Sequence, residues 1–120
     1  MSKILIVDDN GQDRKIIERF LKKAGFTEVL TAETGEMAVE KAKTEQPDLV
    51  ITDTMLPGID GFEVCRQIRE GLGPDLTKII VITGMIDAVD AVKAKKMGAD
   101  DYCVKTSDYA SLIEAVKKLI

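Results

Sequence analysis

The 120-residue sequence contains no histidine, only two cysteines and no long apolar run. Without imidazole there is no Ser-His-Asp triad, no His-ligated zinc and no histidine general base. Cys65 and Cys103 lie far apart and form no CxxC pair. They read as two reduced, buried thiols of a cytosolic protein. Apolar stretches such as Ile79-Ile80-Val81-Ile82 fall far short of the ~20 residues a membrane helix needs, so membrane insertion is not expected. The opening Met1-Ser2-Lys3-Ile4 soon meets Asp8 and Asp9, which argues against a signal peptide and for a cytoplasmic chain. An excess of positive charge is missing as well. The 17 basic residues are outnumbered by 21 acidic ones, leaving a net charge of −4, unsuited to direct nucleic-acid binding. What chemistry remains must run on carboxylates, lysines, hydroxyls or a metal.

Hydrophobic types make up 45% of the residues and charged types 32%, the balance of an ordinary globular protein rather than a disordered one. The length fits one domain over residues 1–120, with a single core. Short apolar runs at Ile4–Val7, Glu28–Thr31, Leu49–Thr52, Ile79–Ile82 and Tyr102–Val104 predict strands. The first, third and fourth are almost wholly apolar and β-branched, as parallel strands covered on both faces should be. Between them Ile16, Ile17, Phe20, Leu21 and Ala24 predict a helix that Gly25 stops. Met37, Ala38 and Ala42 mark a second, closed by Pro47. Phe62, Cys65 and Ile68 mark a third, ending near Gly71 and Gly73, and Ala88–Met97 and Tyr109–Leu119 supply two more. Five successive βα units call for a flavodoxin-like α/β fold: a doubly wound parallel sheet in the order 2-1-3-4-5 with helices on both faces. No linker or attached output module is expected.

In such a sheet ligands gather at the carboxyl ends of the strands, beside the point where strand order reverses. The first strand ends in Asp8-Asp9, the third in Thr52-Asp53, the fourth in Thr83-Gly84 and the fifth in Lys105-Thr106. Three carboxylates, a hydroxyl and an ammonium therefore converge on one shallow site. The carboxylates can all stay ionised only beside a cation, and hard oxygen ligands of this number suit Mg²⁺. Lys105 and Thr83 can partner phosphate oxygens, and Gly84 leaves its N–H accessible. An aspartate facing a metal and a phosphate binder is placed to form an aspartyl-phosphate, and Asp53 is that aspartate. Taken singly, each of these residues has a bland reading as a cap, a solvated charge or a packed side chain. Their meeting at one sheet edge reverses it. Asp100-Asp101, an equally acidic pair, precedes the fifth strand at the other edge and reads as structural.

The segments Ile4-Leu5-Ile6-Val7-Asp8-Asp9-Asn10, Asp53 through Pro57 to Gly61, Val81-Ile82-Thr83-Gly84 and Gly98 to Lys105 resemble the receiver domain of two-component response regulators across essentially the whole chain. The resemblance implies a signalling switch rather than an enzyme with a diffusible substrate. Asp53 would be the phosphoacceptor for a sensor histidine kinase or histidine phosphotransfer protein. Asp8, Asp9 and Asp53 would hold Mg²⁺ with the backbone carbonyl of Met55, and Thr83 and Lys105 would bind the phosphoryl oxygens. It also implies that Thr83 and Tyr102 act as switch residues, repacking the surface of helix 4, strand 5 and helix 5 for a downstream effector.

One departure stands out. The family's lysine is usually followed by proline across a cis peptide, whereas here the next residue is Thr106. A non-prolyl cis bond costs ~2.5–4 kcal/mol. Either the loop bears that cost, or the peptide is trans and Lys105 approaches the site differently. Met55 and Met85, two residues beyond Asp53 and Thr83, either shield a phosphoryl group from water and slow its loss or simply fill the rim. The alternative function is a pseudo-receiver that binds partners without phosphorylation. A haloacid-dehalogenase-type phosphatase would need an aspartate where Met55 stands, and a flavodoxin a Ser/Thr/Gly phosphate loop in place of Asp8-Asp9-Asn10. Ile16, Ile17 and Phe20 are candidates for a kinase-binding patch or for core.

Overall fold

The computed structural model describes residues 2–72, 76–85 and 87–120; Gly73, one of the two glycines expected to end the third helix, lies outside the described residues. Ten elements alternate strictly: β1 (Lys3–Val7), α1 (Gly11–Lys23), β2 (Glu28–Ala32), α2 (Gly35–Glu45), β3 (Leu49–Asp53), α3 (Gly61–Leu72), β4 (Lys78–Thr83), α4 (Ala88–Lys96), β5 (Asp101–Val104) and α5 (Ala110–Leu119). The strands form one parallel sheet in the order β2-β1-β3-β4-β5. Each lies within one residue of its expected position at either end.

Alternation along the strands sorts the core into two layers. Ile4, Ile6, Leu49, Ile51, Ile80 and Ile82 point to one face, where Ile17 and Leu21 of α1 and Leu112 and Val116 of α5 cover them. Leu5, Val7, Val50 and Ile79 point to the other, under Ala38 and Ala42 of α2 and Val64, Cys65 and Ile68 of α3. On that side Val81 meets Phe62 of α3 and Ala94 of α4. Two buried faces explain why the central strands read as unbroken apolar runs. The apolar stripe of α1 is core only in part. Ile17 is buried, Phe20 packs half-buried on the core, and Ile16 stays 37% exposed.

Helix ends follow local chemistry. Asn10 caps α1, its side-chain oxygen accepting from the N–H groups of Gln12 and Asp13. At the other end Gly25 takes φ +101°, while its N–H donates to the Lys22 carbonyl and that of Phe26 to the Leu21 carbonyl. This paired arrangement closes the last turn and needs a residue free to go left-handed. Pro47 follows Gln46, which ends α2 in the left-handed region.

Strand register fixes the functional edge. Val7 pairs with Thr52, Asp53 with Ile82, and Thr83 with Val104. The residues just past β1, β3, β4 and β5 therefore emerge side by side.

Candidate functional site

Asp8 follows β1 directly, and its backbone is held from two sides. Its N–H donates to the Ala32 carbonyl at 3.1 Å, and its carbonyl accepts from the Arg14 guanidinium at 2.7 Å. One side-chain oxygen accepts from the Asn10 N–H at 2.9 Å. Only 1% of its surface is exposed. Burial pushes the Asp8 carboxyl above its ordinary value, against the pull of its hydrogen bond from Lys105. Asp9 beside it is exposed, and Asp53 ends β3 half-buried. The three residues can each offer a carboxylate oxygen within 4.8 Å of the others. Such a set, buried at one end and open at the other, fits a small hard divalent cation that keeps some of its water.

Lys105 closes the cluster. Its N–H extends the β4–β5 ladder by donating to the Thr83 carbonyl at 2.7 Å. Its Nζ lies 2.9 Å from Asp8, 3.0 Å from Asp13 and 3.0 Å from Asp53. Burial alone would lower its pKa, but the three carboxylates outweigh burial and hold the ammonium above its ordinary value. The Lys105–Thr106 peptide is trans, since no cis bond occurs among the described residues. The lysine nonetheless reaches Asp53.

Thr83 is buried at the same edge, but its hydroxyl is engaged elsewhere. It donates to the Met85 carbonyl at 3.2 Å and lies 3.4 Å from the Thr54 hydroxyl. Among the described residues no hydrogen bond joins the Thr83 hydroxyl to Asp53 or to the Lys105 side chain. Met55 and Met85 are 80% and 78% exposed, and an open cleft of about 530 Å³ runs between them, lined also by Thr54, Thr83 and Phe62. Gly84 has nothing within 4 Å of where a Cβ would stand.

Tyr102 lies on β5, half-buried against the Phe62–Val81–Ala94 cluster. Its hydroxyl oxygen is buried without a hydrogen-bond partner among the described residues. Asp100, at the opposite edge, accepts from the Ile79 N–H at 2.8 Å and from the Arg69 guanidinium, a bracing role.

Asp13 and Thr54 escaped the sequence reading. Asp13 sits in the first turn of α1, where an acid is ordinarily explained by the helix dipole. Its signal was positional: a helix beginning directly after Asp8-Asp9-Asn10 turns its first residues back over the strand ends.

Residues 4–117 match the response regulator receiver domain family, and the chain belongs to that family. It is 37% identical over 118 residues to the alkaline phosphatase synthesis transcriptional regulatory protein PhoP of Bacillus subtilis, covering 98% of this chain and 48% of that protein. The chain thus spans about half the length of the curated relatives it matches. Among solved structures, the response regulator protein TrrA from Thermotoga maritima, in complex with Mg²⁺-BeF, superimposes with a TM-score of 0.90 at 38% identity, with both chains covered in full. The chemotaxis protein CheY4 of Vibrio cholerae gives 0.91 at 29% identity, over 100% of this chain and 99% of that one. Among the described residues no helix is long and apolar enough to cross a membrane.

Proposed function

We propose that this chain is a phosphorylation-operated switch with Asp53 as the phosphoacceptor. The observation that carries the reading is the contact of Lys105 Nζ with Asp53 at 3.0 Å, beside carboxylates spaced for one divalent cation. The donor is a phosphohistidine on a sensor histidine kinase or histidine phosphotransfer protein. An Asp53 oxygen attacks phosphorus, the P–N bond breaks, and the departing imidazole nitrogen keeps the electron pair and takes up a proton. Asp8, Asp9, Asp53 and the Met55 carbonyl would hold Mg²⁺, which when bound would neutralise charge on the phosphoryl oxygens. Lys105 orients one of those oxygens as a point charge. Thr83 donates to another once its hydroxyl leaves Met85.

That last movement is the proposed origin of the signal. Thr83 and Tyr102 stand on adjacent strands. In this state one hydroxyl is spent on a loop carbonyl and the other has no partner among the described residues. A new dianion at Asp53 biases that arrangement, and an effector reading the α4–β5–α5 surface selects the biased state.

Intact mass after incubation with acetyl phosphate, with and without Mg²⁺, tests the reading on wild type and Asp53→Ala. A Mg²⁺-dependent phosphoryl adduct absent from the variant is the expected result. A folded protein that forms no adduct would instead be a pseudo-receiver, an interaction module independent of phosphorylation.

A further inference from the structure

Lys105 has three N–H donors and three carboxylate acceptors, and only two of those acceptors belong to the set able to hold a cation. The third is Asp13. Its backbone is pinned by the Asn10 cap, whose oxygen lies 3.1 Å from the Asp13 N–H, so its side chain projects from a fixed point. Arg14, next in the chain, turns instead to the Asp8 carbonyl and to Glu33 at 3.6 Å, leaving Lys105 as the cation bonded to Asp13. The ion pair is one-third exposed on the Asp13 side and 16% on the lysine side. It is therefore only partly screened by solvent.

We propose that Asp13 is a positioning residue that sets the charge balance of the site, retaining Lys105 when a divalent cation takes Asp8 and Asp53 and competing for it with an incoming phosphoryl group. The inference rests on the phosphoacceptor reading above and deepens it. Lys105 is the counter-ion of Asp8 and Asp53. A divalent cation bound there would repel the ammonium and compete with it for the same carboxylates. Asp13 gives the ammonium an anchor outside the cation's ligand set, and its own charge adds to the attraction for the cation. The same charge opposes an anionic phosphodonor and holds one of the three N–H groups that the phosphoryl oxygens would otherwise use. Asp13 thus favours the metal and disfavours the phosphoryl group, two effects of opposite sign from one carboxylate.

The test compares wild type, Asp13→Asn and Asp13→Glu. Mg²⁺ affinity is measured by calorimetry on the unphosphorylated protein, and the rate of adduct formation by acetyl phosphate at saturating Mg²⁺. Asp13→Asn should weaken Mg²⁺ binding about threefold and speed phosphorylation about threefold, the scale of one charge removed at a few ångströms in a partly screened site. Both differences should shrink as KCl is added, and Asp13→Glu should restore both towards wild type. A helix-dipole role alone would lower the melting temperature and leave both quantities unchanged. Unchanged Mg²⁺ affinity, or slower phosphorylation in Asp13→Asn, overturns the proposal. Failure of the wild type itself to form an adduct overturns the phosphoacceptor reading and this inference with it.

Discussion

A Cβ atom on Gly61 would lie 1.9 Å from the backbone oxygen of Asp53. Gly61 opens α3, and its N–H donates to the Thr54 carbonyl at 3.0 Å. The helix start is thereby drawn against the chain that carries the proposed phosphoacceptor. No side chain fits there, and the obstacle is backbone, which cannot rotate away. Gly61→Ala must push α3 and the Asp53–Thr54 segment apart. We expect a loss of about 1–3 kcal/mol in urea unfolding, the usual cost of overpacking. Phosphorylation by acetyl phosphate should slow as Asp53 moves relative to Lys105. A variant with wild-type stability and rate would show that the approach is looser than this geometry requires.

The buried carboxylate of Asp8 is a source of instability. Its pKa is raised in the folded state, first by burial. Folding favours the protonated form, so the contribution is present below the ordinary value of 3.8 and is lost as pH rises through the folded value. At neutral pH the ionised group opposes folding. Asp8→Asn should therefore raise the melting temperature without Mg²⁺, by about 4 °C for each 1 kcal/mol gained. Mg²⁺ should stabilise the wild type by about 2.7 kcal/mol at a hundred times its Kd, through selective binding to the folded state. In Asp8→Asn that increment should largely vanish. Thermal scans with and without Mg²⁺ on both proteins decide the matter; a variant less stable than wild type in the metal-free state would contradict it.

Much of this is legible from residue order because the physical rules involved are local. Ile4–Val7, Leu49–Ile51 and Ile79–Ile82 are buried on both faces, and only an unbroken apolar run satisfies that condition. The convergence of Asp8, Asp53 and Lys105 follows from the strand order together with the rule placing sites at the carboxyl ends. What the sequence hides depends on side-chain direction. Asp13 is 92 residues from Lys105, and its position in a helix's first turn offers a sufficient local explanation that masks the distant one. Thr83 belongs to the site by position, yet which acceptor its hydroxyl prefers is decided by the loop carbonyl of Met85. The Lys105–Thr106 peptide shows the same limit. Its trans geometry and the lysine's reach to Asp53 depend on the path of the loop, which no residue type specifies.

The two cysteines predict an alkaline limit to stability. Cys65 lies against the Met97 carbonyl and Cys103 near that of Ser111. Burial pushes both thiols up to about 11 from an ordinary 9.0. Raised pKa values mean that the folded state holds these protons where the unfolded chain has released them. The stabilisation is complete below about pH 9 and is lost as pH rises towards 11. Lys105, also raised, adds a loss of the same sign at higher pH. Urea midpoints measured from pH 8 to 11 should fall, and more gently in a Cys65→Ala, Cys103→Ala double variant. Both thiols should also resist alkylation at pH 8 until the protein is unfolded. Rapid labelling of the native protein would count against this burial.

Tyr102 offers a test of the switch that does not depend on any partner. Its hydroxyl is buried without a hydrogen-bond partner among the described residues, a situation that costs about 1–3 kcal/mol. Removing the hydroxyl while keeping the ring leaves its packing on Phe62, Val81 and Ala94 intact. Tyr102→Phe should therefore stabilise the unphosphorylated protein by about 1 kcal/mol. If the hydroxyl finds a partner once Asp53 is modified, the gain must disappear in that state. Unfolding measured with and without a beryllofluoride mimic of the phosphoryl group separates the two cases. A stabilising effect confined to the unmodified protein would place Tyr102 among the groups that distinguish the two states. An equal effect in both would make it a packing residue with no part in the signal.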